Sequence, residues 1–252
     1  MDLGLKGKGV IVTGASRGIG RAIALEFAAE GANVAICARG GEALEATASE
    51  VSAHGGSVHA AACDVSDAEA LKSFLDGAHA ALGRVDVMIN NPSGFGITDD
   101  EAGWQASLDI DLMASVRSSW QVVPWMEAQG GGSIIHISSI SGLDVTLPMP
   151  AYCAAKAALI SHAKCMAANL APKSIRVNCV APGSIEFPGG FWEQIKNDDR
   201  AFYDGVLAGV PSGRLGRPEE IAAAVVFLAS GRATWISGVT LSVDGVQHKG
   251  NL

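Results

Sequence analysis

Tyr152 and Lys156 stand four residues apart in PAYCAAKAAL (150–159), an alanine-rich run whose helix-favouring residues put both side chains on one face. A phenol beside an ammonium is a proton donor whose acidity is under control. At roughly 5 Å and an effective dielectric near 20, the lysine favours the phenolate by about 3 kcal/mol, on the order of two pKa units below the usual value near 10. When hydride adds to a carbonyl carbon, the oxygen needs a proton and a second hydrogen bond while charge builds on it. Tyr152 can give the proton and the hydroxyl of Ser139 the hydrogen bond.

TGASRGIGRAIALEFA (13–28) follows an apolar strand and opens a helix, the context in which a glycine-rich loop binds a dinucleotide. Gly14, Gly18 and Gly20 fall where a side chain would block the turn, the approach of a diphosphate or helix-on-strand packing, and Ser16, Arg17 and Ile19 complete the loop. The second strand ends Ala38-Arg39, with no acidic residue to accept from a ribose hydroxyl. Arg39 and Arg17 can instead clamp a 2′-phosphate from two sides, which predicts NADP(H).

Elements that position these groups are legible as short β-branched runs at 9–14, 33–39, 57–63, 85–90, 133–139, 175–180 and 239–244, separated by helix-length segments. Near-continuous apolar strands alternating with helices predict a doubly wound α/β fold, a parallel seven-stranded sheet covered on both faces. The whole chain, 1–252, reads as one dinucleotide-binding and catalytic domain. Residues 186–216, rich in Gly, Pro and aromatics, are long enough to form a lid over the site. A helix from about Trp104 to Met126 is apolar on more than one face, so its outer side is expected to bury against another subunit of a homotetramer or homodimer.

Composition narrows the function. A net charge of -8 and the lack of a basic cluster exclude a nucleic-acid surface. Five cysteines without a C-x-x-C spacing suggest neither a disulfide framework nor a zinc site, and the six histidines show no metal-ligand spacing. The longest apolar run, IAAAVVFLA (221–229), is too short to span a bilayer, and the N-terminus lacks signal-peptide character. The expectation is a soluble cytoplasmic protein with no metal, nucleic-acid or membrane partner.

TGASRGIG (13–20), CDV (63–65), NN (90–91), ISSISG (137–142), YCAAK (152–156), RVNCVAPGSI (176–185) and GRPEEIA (216–222) together resemble the short-chain dehydrogenase/reductase family over essentially the whole chain. The likeness is greatest to the branch of 3-oxoacyl-carrier-protein reductases and assorted carbonyl reductases. It implies a Rossmann fold. Asp64 and Val65 would then border the adenine, Asn91 the ribose, and Pro182, Gly183 and Ile185 the nicotinamide. Ser139, thirteen residues before Tyr152, matches the catalytic serine; Ser138 is the weaker candidate. Lys156 would also hydrogen-bond the ribose.

Three departures from the family pattern stand out. Asp111 occupies the catalytic asparagine's position; a carboxylate only accepts, so a proton-relay role and a structural role are equally open. Pro92 and Ser93 replace the usual alanine-glycine, stiffening that loop and bringing a hydroxyl towards the substrate. Phe187 stands where a threonine is common. Phe95, Met149, Phe187, Phe191, Trp192, Phe202 and Tyr203 could line an apolar pocket or simply pack the lid down. Acidic neighbours of Lys196 and Arg200 favour a small carbonyl compound or secondary alcohol over a carrier protein. An NAD-dependent alcohol dehydrogenase, a lyase or epimerase using the same tyrosine, and a non-catalytic nucleotide sensor are the other readings.

Overall fold

A computed structural model of the chain describes residues 2–145 and 148–250. Seven strands form one sheet in the order β3-β2-β1-β4-β5-β6-β7. They are β1 (Gly9–Thr13), β2 (Asn33–Ala38), β3 (Val58–Ala62), β4 (Val87–Asn90), β5 (Gly132–Ile137), β6 (Ile175–Pro182) and β7 (Thr240–Val243), paired parallel throughout. The strand order reverses between β1 and β4, so the loops leaving their C-terminal ends part there and open a crevice. Each strand predicted from the sequence is present, with ends within two residues of those expected.

Helices α1 (Gly18–Ala29), α2 (Gly41–Ser52) and α9 (Pro218–Ala229) cover one face of the sheet, packing Ile23, Phe27, Leu44, Ile221 and Val225 against Val10, Val12, Val34 and Ile36. The other face carries α3 (Ala68–Leu82), α5 (Ala114–Ala128) and α6 (Pro150–Leu170). In α6 the buried residues Ala151, Ala155, Leu159, Ala163 and Ala167 recur every fourth position, and their small size lets the helix lie close to β5 and β6.

The long helix expected over 104–126 is interrupted. A short α4 (Glu101–Ala106), capped by the Asp100 carboxylate on Gly103 N–H, runs into a π-helical turn, Ser107–Met113, before α5 begins. A turn of this type widens the helix and is found chiefly at functional sites. The loop 92–97 lies flat against it: a Cβ on Gly94 would meet Ala106 O at 2.4 Å. Residues 186–216 are not a plain loop. They form α7 (Phe191–Asp198) and α8 (Arg200–Ala208), whose Trp192 and Tyr203 share a small core with Val210 and Leu215.

Between the sheet and the α5–α6 layer lies a buried polar strip. Ser118 Oγ donates to Asn90 Oδ1 at 2.6 Å, and Asn90 Nδ2 lies 3.1 Å from His136 Nδ1. Burial, reinforced by His162 and Lys156, pushes the His136 imidazole down to about 3. Below pH ~6.5 the unfolded chain therefore takes up a proton that the folded chain refuses, and stability falls by on the order of 1.4 kcal/mol per pH unit until about pH 3. Urea unfolding at stepped pH is expected to show this slope. His136→Gln, with no titrating ring, makes it shallower, leaving the part that comes from His162, whose imidazole burial also holds down.

Candidate active site

The β4 and β5 ends, α6 and the glycine loop converge on a cleft of about 620 Å³. Tyr152, Lys156 and Ser139 line it together with Gly14, Ser16, Arg17, Ile19, Gly20, Arg39, Asp64, Val65, Asn91, Pro182, Gly183 and Ile185. Residues spread over 172 positions of the chain, from Gly14 to Ile185, thus reach one concavity. Two residues singled out from the sequence do not border it: Gly18, which lies beneath the Phe187 ring, and Asp111, which is buried behind Lys156.

α6 presents Tyr152 and Lys156 one turn apart, and the Lys156 Nζ lies 5.5 Å from the centre of the tyrosine ring. The ammonium is 2% exposed, donates to Ile137 O at 3.0 Å and stands 3.0 Å from Asp111 Oδ1. Asp111 Oδ2 in turn accepts from Gly94 N–H at 3.0 Å. The π turn brings Asp111 to this spot, so a buried carboxylate ties the loop after β4 to the lysine of α6. Burial alone would push the Lys156 ammonium down, but the Asp111 charge and the phenol outweigh it and hold the pKa above its usual value. The lysine is firmly cationic.

The phenol behaves differently from the expectation. Burial pushes the Tyr152 pKa up, Lys156 pulls it down, Asp111 pushes it up again, and a hydrogen bond with Ser139 lowers it; the net shift is upward. The sequence-based figure counted the ammonium and left out both desolvation and the opposing carboxylate. Ser139 Oγ accepts from Ser141 N–H at 3.1 Å and borders the cleft, whereas Ser138 Oγ donates to Lys156 O and helps fasten the helix.

At the other end, the glycine loop has the shape a diphosphate requires. A Cβ on Gly20 would sit 2.3 Å from Gly14 O, so only glycine lets the helix start this close to the strand. The first residue of α1 follows Arg17, which supplies no side-chain cap, leaving the initial N–H groups directed to the cleft. Asn91 is engaged with the loop itself: its Nδ2 donates to Thr13 O at 3.2 Å and Gly14 O at 2.9 Å. Ser66 hydrogen bonds hold the Asp64 carboxyl below its usual range, with Arg39 adding a smaller pull, so the guanidinium is close by. Arg17 Nη1 donates to Gly189 O at 3.0 Å, and Phe187 packs its ring over Gly18, joining the 186–216 segment to the glycine loop. These residues fit a nicotinamide dinucleotide.

A second cavity of about 340 Å³ adjoins Ser139 and Tyr152 and is lined by Phe95, Met149, Phe191 and Trp192 among others. Phe95 stacks edge-on to Tyr152 with ring centres 5.2 Å apart, and Phe191 lies 4.9 Å from Phe95. Tyr203 does not face it; its hydroxyl donates to Glu186 Oε2 at 2.6 Å, while Lys196 pairs with Glu186 Oε1 at 2.7 Å. The aromatics of this segment thus divide, Phe191 and Trp192 lining the cavity and Tyr203 holding the segment together. This latch was not foreseen from sequence, because nothing in the spacing 186, 196, 203 marks it.

Among the described residues no cluster of His, Cys, Asp or Glu could hold a metal ion, and no helix is long and apolar enough to cross a membrane. Residues 14–246 match the family model described as "Enoyl-(Acyl carrier protein) reductase". The chain is 36% identical over 248 residues to the 3-oxoacyl-[acyl-carrier-protein] reductase FabG of Thermotoga maritima, covering 96% of this chain and 98% of that one. It superimposes on the crystal structure of L-sorbose reductase from Gluconobacter frateurii complexed with NADPH and L-sorbose with a TM-score of 0.91 at 35% identity, covering 99% and 100% of the two chains. For a 7 alpha-hydroxysteroid dehydrogenase complexed with NADH and 7-oxo glycochenodeoxycholic acid the TM-score is 0.90 at 34% identity, covering 99% and 98%. With a matching family model over nearly its full length, and close relatives on the same parallel sheet, the chain belongs to the short-chain dehydrogenase/reductase family of oxidoreductases.

Proposed function

We propose that the chain is an NADP(H)-dependent oxidoreductase that interconverts a small carbonyl compound and its secondary alcohol. The observation that carries this reading is the convergence of Ser139, Tyr152 and Lys156 on the cleft that also holds the glycine loop. When bound there, the nicotinamide cofactor supplies or takes up the hydride. Gly14, Ser16, Ile19 and Gly20 would hold its diphosphate, Asp64 and Val65 its adenine, Asn91 and Lys156 its ribose, and Pro182, Gly183 and Ile185 its nicotinamide end, with Gly18 shaping the loop beneath Phe187. Tyr152 gives its phenolic proton to the carbonyl oxygen, or takes it back from the alcohol, and Ser139 donates the second hydrogen bond. Lys156 favours the phenolate state, and Asp111 keeps Lys156 charged and in place.

Arg17 and Arg39 support the choice of NADP(H), because both border the cleft, Arg39 beside Asp64, and no acidic residue closes the second strand. The relatives' complexes contain NADPH in one case and NADH in the other, so coenzyme choice is read from this chain's own arginines. Arg39→Asp is expected to raise the KM for NADPH by roughly ten- to a hundredfold, the loss of one charge-assisted contact, and to improve NADH. Faster turnover with NADH than NADPH in the unaltered enzyme would refute the arginine assignment.

A small, uncharged substrate is favoured over a carrier protein. Lys196 is paired with Glu186 and Arg200 with Asp204, so the lid presents no unbalanced basic surface for an acidic partner. Residues 186–216 act as the lid. Association into a homotetramer or homodimer is supported by the exposed Trp104, Leu108 and Trp120 on the α4–α5 helix. An NADPH oxidation screen across ketones, aldehydes, quinones and acyl thioesters tests the reading: turnover of small ketones is the expected result, and turnover of acyl thioesters alone would replace it with a carrier-linked reductase.

A further inference from the structure

Two side chains that border the second cavity, or lead directly into it, depend on backbone that L-residues avoid. Phe95 has φ 49° and Val246 φ 66°; among the described residues the only other non-glycine with positive φ is Ser174, at the far end of α6. A β-branched residue in this region is strained, and such strain persists where the surroundings impose it. At Phe95 the result is clear, since the ring it orients packs on Tyr152. The turn at Val246 has an equivalent result at the next residue, Gln247, which lines the cavity. Asp244 fixes it, accepting from Val246 N–H at 3.1 Å and His248 N–H at 2.8 Å, and the residue so aimed into the cavity is Gln247.

Gln247 is held at both ends of its amide. Oε1 accepts from Ser184 N–H at 2.6 Å and Nε2 donates to Ser184 Oγ at 3.1 Å. The approach is close enough that a Cβ on Gly183 would fall 2.2 Å from Oε1. These bonds use one of the two Nε2 hydrogens and leave Oε1 able to accept again. The cavity is therefore lined both by the aromatic cluster of Phe95, Phe191 and Trp192 and by a preorganised amide, with the exposed carboxylate of Asp144 also lining it. Apolar carbon suits the aromatic cluster and a hydroxyl the amide, while the carboxylate disfavours an anion.

We infer that Gln247 is a specificity-determining residue and that the substrate is a small neutral ketone bearing a hydroxyl group away from its carbonyl, such as a hydroxylated ring or polyol ketone. This rests on the oxidoreductase reading and narrows its substrate. A plain ketone fills the same space but leaves the second amide hydrogen without a partner, whereas a hydroxyl accepts from Nε2.

The test compares 4-hydroxycyclohexanone with cyclohexanone as substrates of the NADPH-loaded enzyme and of Gln247→Leu. The unaltered enzyme is expected to prefer the hydroxylated ketone in kcat/KM by about tenfold or more, the worth of one well-placed hydrogen bond, and Gln247→Leu to bring the ratio near one. A ratio near one in the unaltered enzyme, or an unchanged ratio in Gln247→Leu, overturns the proposal. Because Gln247→Leu also releases Ser184, Ser184→Ala serves as a second variant: it removes the hydroxyl contact but leaves Nε2 in place, and a loss of preference equal to that of Gln247→Leu assigns the effect to loop positioning and overturns the direct role. If neither ketone is reduced, the oxidoreductase reading fails separately. The subsite is then decided by thermal shift in the presence of NADP⁺, where 1,4-cyclohexanediol is expected to stabilise the unaltered chain more than cyclohexanol does, and equal shifts overturn it.

Discussion

Tyr152→Phe is expected to lower turnover in carbonyl reduction by roughly a thousandfold while the dissociation constant for NADPH stays within about twofold. The substitution removes one oxygen and keeps the ring, so the edge contact with Phe95 and the packing of α6 survive. What disappears is a group that combines a transferable proton with a hydrogen bond to Ser139 and a neighbouring ammonium. Pre-steady-state turnover and a fluorescence titration of NADPH separate chemistry from binding. Near-normal turnover would remove Tyr152 as acid and base. The pH dependence follows from the upward net shift of the phenol: reduction, which needs the protonated form, holds up to strongly alkaline pH, and alcohol oxidation, which needs the phenolate, keeps rising across the same range.

Asp111→Ala is expected to cost about 3–5 kcal/mol of folding stability, because it leaves an ammonium that is 2% exposed without its counter-charge. The sign with pH is set by Lys156. Its folded pKa is raised above 10.5, so the pair's contribution is complete below that value and is lost as pH climbs through the folded pKa. The deficit of Asp111→Ala in urea unfolding should thus narrow as pH rises, first because burial lowers the pKa of the unpaired lysine in the variant, and then because the paired lysine of the unaltered chain sheds its proton. Asp111→Ala/Lys156→Met, which removes both charges, recovers most of the stability but not the activity. Asp111→Asn separates structure from chemistry. It keeps a polar partner for the lysine and removes a negative charge that pushes the Tyr152 pKa up, so the alcohol-oxidation profile moves to lower pH. An unmoved profile would make Asp111 a purely structural residue.

How much of this was legible in the sequence depends on range. The five inner strands could be read because each is a short apolar run buried on both faces, and their alternation with helix-length segments gave the doubly wound class; the edge strands β3 and β7 are only partly buried. Tyr152 and Lys156 could be read because four residues on a helix is a local geometry. The glycine loop is local in the same sense. Asp111 was visible as an anomaly, but its consequence was not: the ion pair needs the π turn, and the seven residues Ser107–Met113 carry no pattern that separates a π turn from an α-helix. The downward shift expected for Tyr152 failed for a related reason, since desolvation depends on how completely Phe95 and the surrounding loops cover the ring. Glu186 with Tyr203, and Gln247 with Ser184, are contacts across 17 and 63 positions of chain that only tertiary structure creates.

The π turn has a consequence for how this chain tolerates insertion and deletion. An α-helix advances about 100° per residue, so one extra residue absorbed as a π turn puts the segment before it out of phase with the segment after it. Trp104 and Leu108 on the exposed side, and Val122 and Met126 in the core, therefore follow two different angular registers along what looks like one rod. Deleting one residue of 107–110 would restore one register, and in doing so would swing Asp111 away from Lys156 without touching either residue. The helix stores its chemistry as a phase slip, and the length of the segment is as much a determinant of the site as the carboxylate it carries.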